Sequence, residues 1–147
     1  MPADYTVVIS TFERPGPLKD TLESLALQSH MPKRVVVVDS SETDASAEIC
    51  NRFQSRLPIE LRPSSIRSAA IQRNEGAADV KTPLTAFIDD DVVLQPDTFT
   101  LLCGPFDSDP KIGGIAGRSS GLEHRDPFGV AWWYYRFQAL WGVSLAR

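Results

Sequence analysis

Residues 34–39 read RVVVVD, and this stretch decides the fold class. Four consecutive β-branched residues that are apolar on both faces are typical of a strand buried inside a parallel sheet, because a strand with one wet face alternates apolar and polar side chains. The polar stretch SSETD (40–44) predicts a loop, and Ile49 and Phe53 at helical spacing predict a helix after it. The segment therefore predicts a strand, a loop and a helix in succession.

The same unit recurs along the chain. Short apolar runs predict three further strands, at YTVVIS (5–10), IELR (59–62) and LTAFID (84–89). Apolar or small residues at helical spacing predict further helices, at LKDTLESLALQS (18–29), SAAIQRNEGAADV (68–80) and PDTFTLLCG (96–104), the last begun by Pro96 and ended by Gly104.

KIGGIAGR (111–118) predicts one more strand with a glycine-rich exit. Strands that alternate with helices imply right-handed crossovers. The sequence therefore predicts an α/β fold, with a Rossmann-like and mainly parallel sheet flanked by helices on both sides.

Length, composition and charge restrict the class of protein. With 147 residues, of which 42% are hydrophobic and 23% charged, the chain is long enough for one globular domain. Its net charge of −4 argues against nucleic acid as a partner. The start of the chain lacks a basic leader and no apolar run reaches membrane-spanning length, so we expect a cytoplasmic protein. Cys50 and Cys103 lack metal-type spacing and are predicted to be reduced core residues.

Polar and charged side chains follow three of the predicted strands, at the edge where a parallel sheet binds ligands. They are Ser10, Thr11, Phe12 and Arg14 after the first strand, Asp39 after the second, and Asp89, Asp90 and Asp91 after the fourth. We expect these residues to form one site.

The three adjacent carboxylates repel one another, and a hard divalent cation is the usual compensation. If the strand continues, Asp89 and Asp91 point to one side and Asp90 to the other. A site with one or two carboxylates suits Mg²⁺ or Mn²⁺ completed by phosphate oxygens, so a metal–diphosphate is the predicted ligand. The alternative is a solvated turn at the end of the strand. For Asp39 the alternatives are an acceptor for a ribose or base, a helix cap, or a loop salt bridge.

Four motifs in this order and spacing resemble the nucleotide-binding half of family 2 glycosyltransferases with the GT-A fold. They are VVISTFERPGPLKDTLESLALQS (7–29), VVVVDSSETD (35–44), QRNEGA (72–77) and TAFIDDDVVLQPD (85–97). The resemblance covers about residues 5–118. It implies a nucleotide-sugar-binding subdomain at 1–118 and the start of an acceptor-side region at 119–147.

The resemblance also implies roles for single residues. Ser10, Thr11, Phe12, Glu13 and Arg14 stand where relatives commonly read Pro-Thr-Tyr-Asn-Arg, in a loop that closes over the base. Asp39 corresponds to an acceptor for the base, and Arg73 to a contact with base or diphosphate, unless it pairs with a nearby carboxylate. Asp89 and Asp90 correspond to contacts with ribose and diphosphate, and Asp91 to the metal ligand. Arg67 stands where relatives often have glycine.

The implied activity is that of an inverting glycosyltransferase. It would transfer a sugar from a nucleotide-diphosphate sugar to the hydroxyl of a saccharide or lipid-linked acceptor, in polysaccharide, glycolipid or cell-envelope glycan synthesis. Inversion needs a general base, which in relatives lies downstream, often in a Glu-Asp pair. Only Glu123 and Asp126 follow residue 109 as carboxylates, and they are not such a pair. No base is therefore assigned, and we expect the chain to lack the acceptor half of a longer transferase.

An aromatic segment lies near the end of the chain, at 128–145, and contains all three tryptophans. Residues 111–147 carry five Lys/Arg against two Asp/Glu, whereas residues 1–110 carry ten against seventeen. The segment predicts a helix that docks on the missing half or on a second protomer. The alternative is peripheral contact with the inner face of a membrane.

Two other classes of function compete with the transferase. A non-catalytic nucleotide-sugar-binding module agrees with the lack of an assigned base. AFIDDDVV (86–93) also fits the hhhhDxDxV pattern of haloacid dehalogenase-type phosphatases, with Asp89 as nucleophile and Asp91 as acid and base, but three strand–helix units precede it here. A dinucleotide-binding oxidoreductase is disfavoured because the first loop has no GxGxxG.

Overall fold

Four strands and four helices alternate in the computed structural model, which describes residues 2–117. The strands are β1 (Tyr5–Thr11), β2 (Arg34–Asp39), β3 (Ile59–Pro63) and β4 (Leu84–Asp89). The helices are α1 (Pro15–Leu25), α2 (Ala45–Phe53), α3 (Ala69–Ala77) and α4 (Thr98–Ser108). The predicted alternation of strands and helices is confirmed.

The strands form one parallel sheet in the order β3-β2-β1-β4. β1 lies between β2 and β4, and its last residues pair with the ends of both neighbours: Thr11 lies opposite Asp39, and Ser10 lies opposite Asp89. Because parallel strands end at the same edge, the segments that follow β1, β2 and β4 start side by side.

Both faces of β1 and β2 are covered, as the valine run predicts, whereas Phe87 of β4 is 51% exposed. On one face, side chains of β1 and β2 pack with the leucines of α1 and with apolar residues of α2 and α4, which include Cys50 and Cys103. Both cysteines are buried and carry free thiols, as predicted. On the other face, Val8, Val36 and Val38 form a smaller apolar cluster.

Helix α3 lies close to this second face because Gly76 has no side chain. A Cβ at position 76 would overlap Cγ1 of Val8 and lie 3.1 Å from Cγ2 of Val38. An ion-pair network holds the end of the helix. Asp79 accepts from Arg34 at 3.1 Å and from Arg62 at 2.8 Å, and Arg62 also donates to the carbonyl of Glu75 at 3.0 Å.

Several predicted boundaries are wrong. α1 begins at Pro15 instead of Leu18, because proline suits the first turn of a helix. It ends at Leu25, four residues before the predicted end. α4 starts at Thr98 and continues through Gly104 and Pro105 to Ser108. Its buried Phe99 and Cys103 anchor the helix, and a proline in the last turn removes only one backbone donor.

The predicted strand at 111–118 is absent from its described part, 111–117. Gly113, Gly114 and Gly117 raise the entropic cost of an extended strand, and the four-stranded sheet does not include this segment. The proposed boundary at 118/119, the carboxylates Glu123 and Asp126, and the aromatic segment 128–145 lie at or beyond the end of the described residues. None of the helices within 2–117 has the length and hydrophobicity needed to cross a membrane.

Candidate nucleotide-sugar site

A cleft of about 360 Å³ opens at the carboxyl ends of β1 and β4. Three segments line it: the end of β1 with its loop, the end of β4, and the first turn of α3 with the two residues before it. The lining residues are Ser10, Thr11, Phe12, Arg14, Arg67, Ser68, Ala69, Gln72, Asp89, Asp90 and Asp91. Seven of the nine predicted site residues are in this set, and the other two, Asp39 and Arg73, are not.

Asp90 is the buried member of the carboxylate triplet. Its Oδ2 accepts from the Thr11 hydroxyl at 2.7 Å, and its Oδ1 accepts from Nη1 of Arg14 at 2.9 Å. The expected alternation holds for exposure, since Asp89 and Asp91 are exposed while Asp90 is not. The strand, however, ends at Asp89 and turns, so Asp90 and Asp91 lie near the same cation.

Arg14 is that cation. Its Nη2 lies 2.9 Å from Oδ2 of Asp91, and its Nη1 contacts Asp90. The pKa of the guanidinium is raised above its ordinary value, first by the hydrogen bond to Asp91 and then by the charge of Asp90. The cleft therefore contains a counter-ion of its own for two of the three carboxylates.

Asp89 and Arg73 pair with each other at the margin of the cleft. Nη2 of Arg73 forms an ion pair with Oδ1 of Asp89, and both side chains are exposed. The pairing with a nearby carboxylate, one of the two alternatives for Arg73, is present in the structure. An exposed pair of this kind is weak and can exchange for a ligand oxygen.

Asp39 takes part in a loop contact. Its Oδ1 accepts from the backbone N–H of Ser41 at 2.9 Å and from the Ser41 hydroxyl at 2.5 Å. This is a local turn that an aspartate favours after a strand. Asp39 does not cap α2, whose first flanking residue, Asp44, makes no side-chain capping bond.

Gln72 is a site residue that the sequence reasoning missed. Its side chain is buried, and Nε2 donates to the carbonyl oxygens of Thr11 and Val38, both at 2.9 Å, with Oγ of Ser40 at 3.3 Å. One amide thus joins the ends of β1 and β2. The QRNEGA motif contains this residue, but apolar periodicity carries no signal for a buried amide.

The loop after β1 has an unusual backbone. Glu13 has φ of 52°, which is uncommon for residues other than glycine and is several times commoner for Asn. Its backbone N–H donates to Oγ of Ser41 at 2.7 Å, and its Oε1 accepts from the backbone N–H of Glu42 at 2.7 Å. These contacts hold the conformation and join the loops after β1 and β2.

Residues 2–117 contain no group of three or more His, Cys, Asp or Glu side chains arranged to hold a metal ion. The donor set does fit a cation that takes one protein carboxylate and completes its shell with ligand oxygens, as Mg²⁺ and Mn²⁺ do. Asp91 is half-exposed, with Oδ2 paired to Arg14 and Oδ1 left for a cation, whereas both oxygens of Asp90 are already engaged.

Comparison with known protein families gives a match over most of the chain. The model of Glycosyl transferase family 2 matches residues 6–142. Validoxylamine A glucosyltransferase of Streptomyces hygroscopicus subsp. limoneus is 29% identical over 126 residues, which are 83% of this chain and 28% of that protein. The poly-beta-1,6-N-acetyl-D-glucosamine synthase of Staphylococcus epidermidis is 22% identical over 75% of this chain and 27% of its own length. The chain therefore spans little more than a quarter of these relatives.

Solved structures share the fold. TarS 1–349 of S. aureus, in complex with UDP-GlcNAc, superposes with a TM-score of 0.66 at 22% identity, over 80% of this chain and 36% of that one. The mannosyltransferase PcManGT of Pyrobaculum calidifontis, in complex with GDP-Man and Mn²⁺, gives a TM-score of 0.64 at 24% identity, over 77% and 34%. The predicted GT-A fold is confirmed.

Proposed function

Because the chain belongs to glycosyl transferase family 2, we propose that its cleft binds a nucleotide-diphosphate sugar, from which the complete enzyme transfers the sugar to an acceptor hydroxyl. The observation that carries the proposal is the meeting of an aromatic ring, a guanidinium and a half-exposed carboxylate in one cleft, those of Phe12, Arg14 and Asp91. A base, a diphosphate and a cation are the ligands that these groups suit. UDP-GlcNAc and GDP-Man in the complexes of structural neighbours support the same ligand class.

Each part of the site has a proposed role. Phe12 offers a stacking surface for the base, and Ser10 and Thr11 line the adjoining part of the cleft. Asp39 has one oxygen committed to Ser41, so its second oxygen is proposed to accept from the base. Arg73 and Asp89 exchange their mutual ion pair for contacts with diphosphate and ribose. Asp90 keeps Arg14 and Thr11 in position instead of contacting the donor directly.

Asp91 is the proposed ligand of a divalent cation, Mn²⁺ or Mg²⁺. When bound, such a cation neutralises the charge that develops on the departing diphosphate. Arg14 lies against the same carboxylate and supplies a second positive charge at this point. Its planar guanidinium can donate two parallel hydrogen bonds to phosphate oxygens.

The proposed reaction inverts the configuration at the anomeric carbon of the donor sugar. The acceptor oxygen forms a bond to that carbon, the bond to the diphosphate oxygen breaks, and the hydroxyl proton passes to a general base. No described residue is assigned as the base. The acceptor is proposed to be a saccharide or lipid-linked glycan of the cell envelope, and the name of the poly-beta-1,6-N-acetyl-D-glucosamine synthase relative agrees with a saccharide. Residues 128–145 are proposed to contact the inner face of the membrane or a second protomer.

A non-catalytic nucleotide-sugar-binding module remains the second candidate. The observation in its favour is that no residue within 2–117 is assigned as a general base, whereas the groups that suit a donor meet in one cleft. Transfer of labelled sugar to an acceptor by the longest natural form of the protein would exclude it.

Thermal shifts with UDP-, GDP- and dTDP-sugars, each with and without Mn²⁺, test the binding proposal. We expect one nucleotide class to raise the melting temperature in a metal-dependent way, since a ligand stabilises the state that it binds. Asp91→Ala should lose the metal-dependent part. Asp20→Ala, an exposed aspartate of α1 outside the cleft, is the matched control. If no donor raises the melting temperature, the proposed function is contradicted. If Asp91→Ala and wild type show equal metal-dependent shifts, the assignment of Asp91 as the metal ligand is contradicted.

A further inference from the structure

The rim of the cleft carries a contact that the proposed function leaves unexplained. The guanidinium of Arg67 lies over the ring of Phe12, with Cζ 4.6 Å from the ring centroid. Both residues line the cleft, and Phe12 remains 37% exposed. A half-exposed ring at the edge of a cleft is a surface for stacking, and here a cation of the same chain covers one face of it.

A closed ring of contacts holds Arg67 in this place. Its Nη2 forms an ion pair with the carboxylate of Glu42. The backbone N–H of Glu42 donates to Oε1 of Glu13 at 2.7 Å, and Glu13 directly follows Phe12 in the chain. The ring of contacts therefore joins the loops after β1, β2 and β3 at the nucleotide edge of the sheet. The Arg67–Glu42 pair itself is mostly exposed, so it can move without uncovering a buried charge.

We propose that Arg67 is a gating residue for the donor, and that the nucleobase displaces its guanidinium from Phe12 in order to stack on the ring. The inference rests on the proposed function. Stacked ring systems have centroids about 4.5 to 7 Å apart. A base on this face of Phe12 therefore takes the space that the guanidinium occupies. Every base has a π face that fits such a surface, and Glu42 remains the partner of the displaced side chain.

The gate has a measurable effect on affinity. Base stacking must first break the contact between Arg67 and Phe12, so the wild type binds a nucleoside less tightly than a chain with an uncovered ring. Cation–π contacts at exposed sites are weak, and breaking one corresponds to a factor of about two to five in Kd.

The test titrates the 147-residue chain with uridine, guanosine and thymidine, followed by NMR. Neutral nucleosides report on the base without the phosphates. Arg67→Ala removes both the cation and the side chain that covers the ring, and we expect it to bind at least one nucleoside about two to five times more tightly than wild type. In a Phe12→Leu background the same substitution should leave nucleoside affinity unchanged. Arg52→Ala, on an exposed arginine of α2 outside the cleft, is the matched control.

The possible outcomes distinguish failure of the proposed role of Arg67 from failure of the proposed function. Equal or weaker nucleoside binding by Arg67→Ala, with wild type stabilised by a nucleotide sugar, overturns the gate alone. A parallel titration with inorganic pyrophosphate should give the same affinity for both chains, and a loss in Arg67→Ala would make Arg67 a phosphate ligand and overturn the gate. A wild type that binds no nucleoside, nucleotide or nucleotide sugar overturns the proposed function together with the inference.

Discussion

Arg14 and Asp90 form an ion pair inside the cleft, with Nη1 2.9 Å from Oδ1 and only 6% of the Asp90 side chain exposed. The other oxygen of this carboxylate accepts from the Thr11 hydroxyl at 2.7 Å. The second arm of Arg14 reaches Asp91. A single guanidinium thus contacts two of the three adjacent carboxylates, and the middle carboxylate is held in place by two hydrogen bonds.

Replacement of this carboxylate should destabilise the protein. Asp90→Asn keeps the volume but removes the charge that Arg14 and Thr11 contact, and hydrogen bonds to charged groups contribute about 1.5 to 3 kcal/mol. We expect a loss of that order in the free energy of unfolding, measured by urea denaturation. Asp89→Asn affects only an exposed pair and should cost less than about 1 kcal/mol. Equal losses in the two variants would show that Asp90 does not hold the site together.

Gln72 is expected to control both stability and donor affinity. Gln72→Met has a similar volume but leaves the buried carbonyls of Thr11 and Val38 without this donor, at a cost of about 1 to 3 kcal/mol. Because Thr11 lines the cleft, the Kd for the stabilising nucleotide sugar should also rise. Calorimetric titration well below the melting temperature measures this. An unchanged Kd in a destabilised variant would limit Gln72 to a structural role.

Two helical glycines should respond differently to alanine. Gly76→Ala places a methyl group against Val8 and Val38, and overpacking of this kind costs about 1 to 3 kcal/mol. Gly104 lies in α4, and apart from the adjacent residues and the backbone of its own helix no atom lies within 4 Å of the point that a Cβ would occupy. The helix propensity of alanine favours Gly104→Ala, but Pro105 disfavours a helical residue with a Cβ before it, so we expect a smaller change in stability than for Gly76→Ala. Thermal denaturation of both variants compares the two changes. A neutral Gly76→Ala would mean that α3 lies farther from the sheet.

The ion pairs of Asp79 with Arg34 and Arg62 predict that the stability of the fold depends on pH in the acidic range. Hydrogen bonds from Arg34 and then Arg62 lower the pKa of Asp79 from 3.8 to about 2. Since the carboxylate loses a proton more readily in the folded chain, its contribution is complete above about pH 4 and is lost as the pH falls towards 2. Asp79→Asn should therefore show a shallower fall in the urea midpoint between pH 4 and 2 than wild type. Asp20→Asn, on an exposed aspartate of α1, should follow the wild-type curve.

The strands and the ligand edge could be predicted because each rests on a local pattern. RVVVVD predicts a strand covered on both faces, and the parallel order then brings the polar residues after β1 and β4 together. Side-chain partners could not be predicted in this way. That Arg14 reaches both Asp90 and Asp91 depends on the turn after Asp89. The predicted length of α4 is also wrong, because Gly104 and Pro105 are local stop signals, whereas a proline in the last turn removes only one backbone donor.

Gly76 and Gln72 are four residues apart in α3, so they lie on the same face of the helix. The first permits close approach to Val8 and Val38, and the second reaches the carbonyls at the ends of the same two strands. The depth at which α3 lies on the sheet and the separation of the two strand ends are therefore coupled, because the same face of the helix sets both. A mutation in the apolar layer beneath this helix would change donor affinity without touching a single residue that lines the cleft.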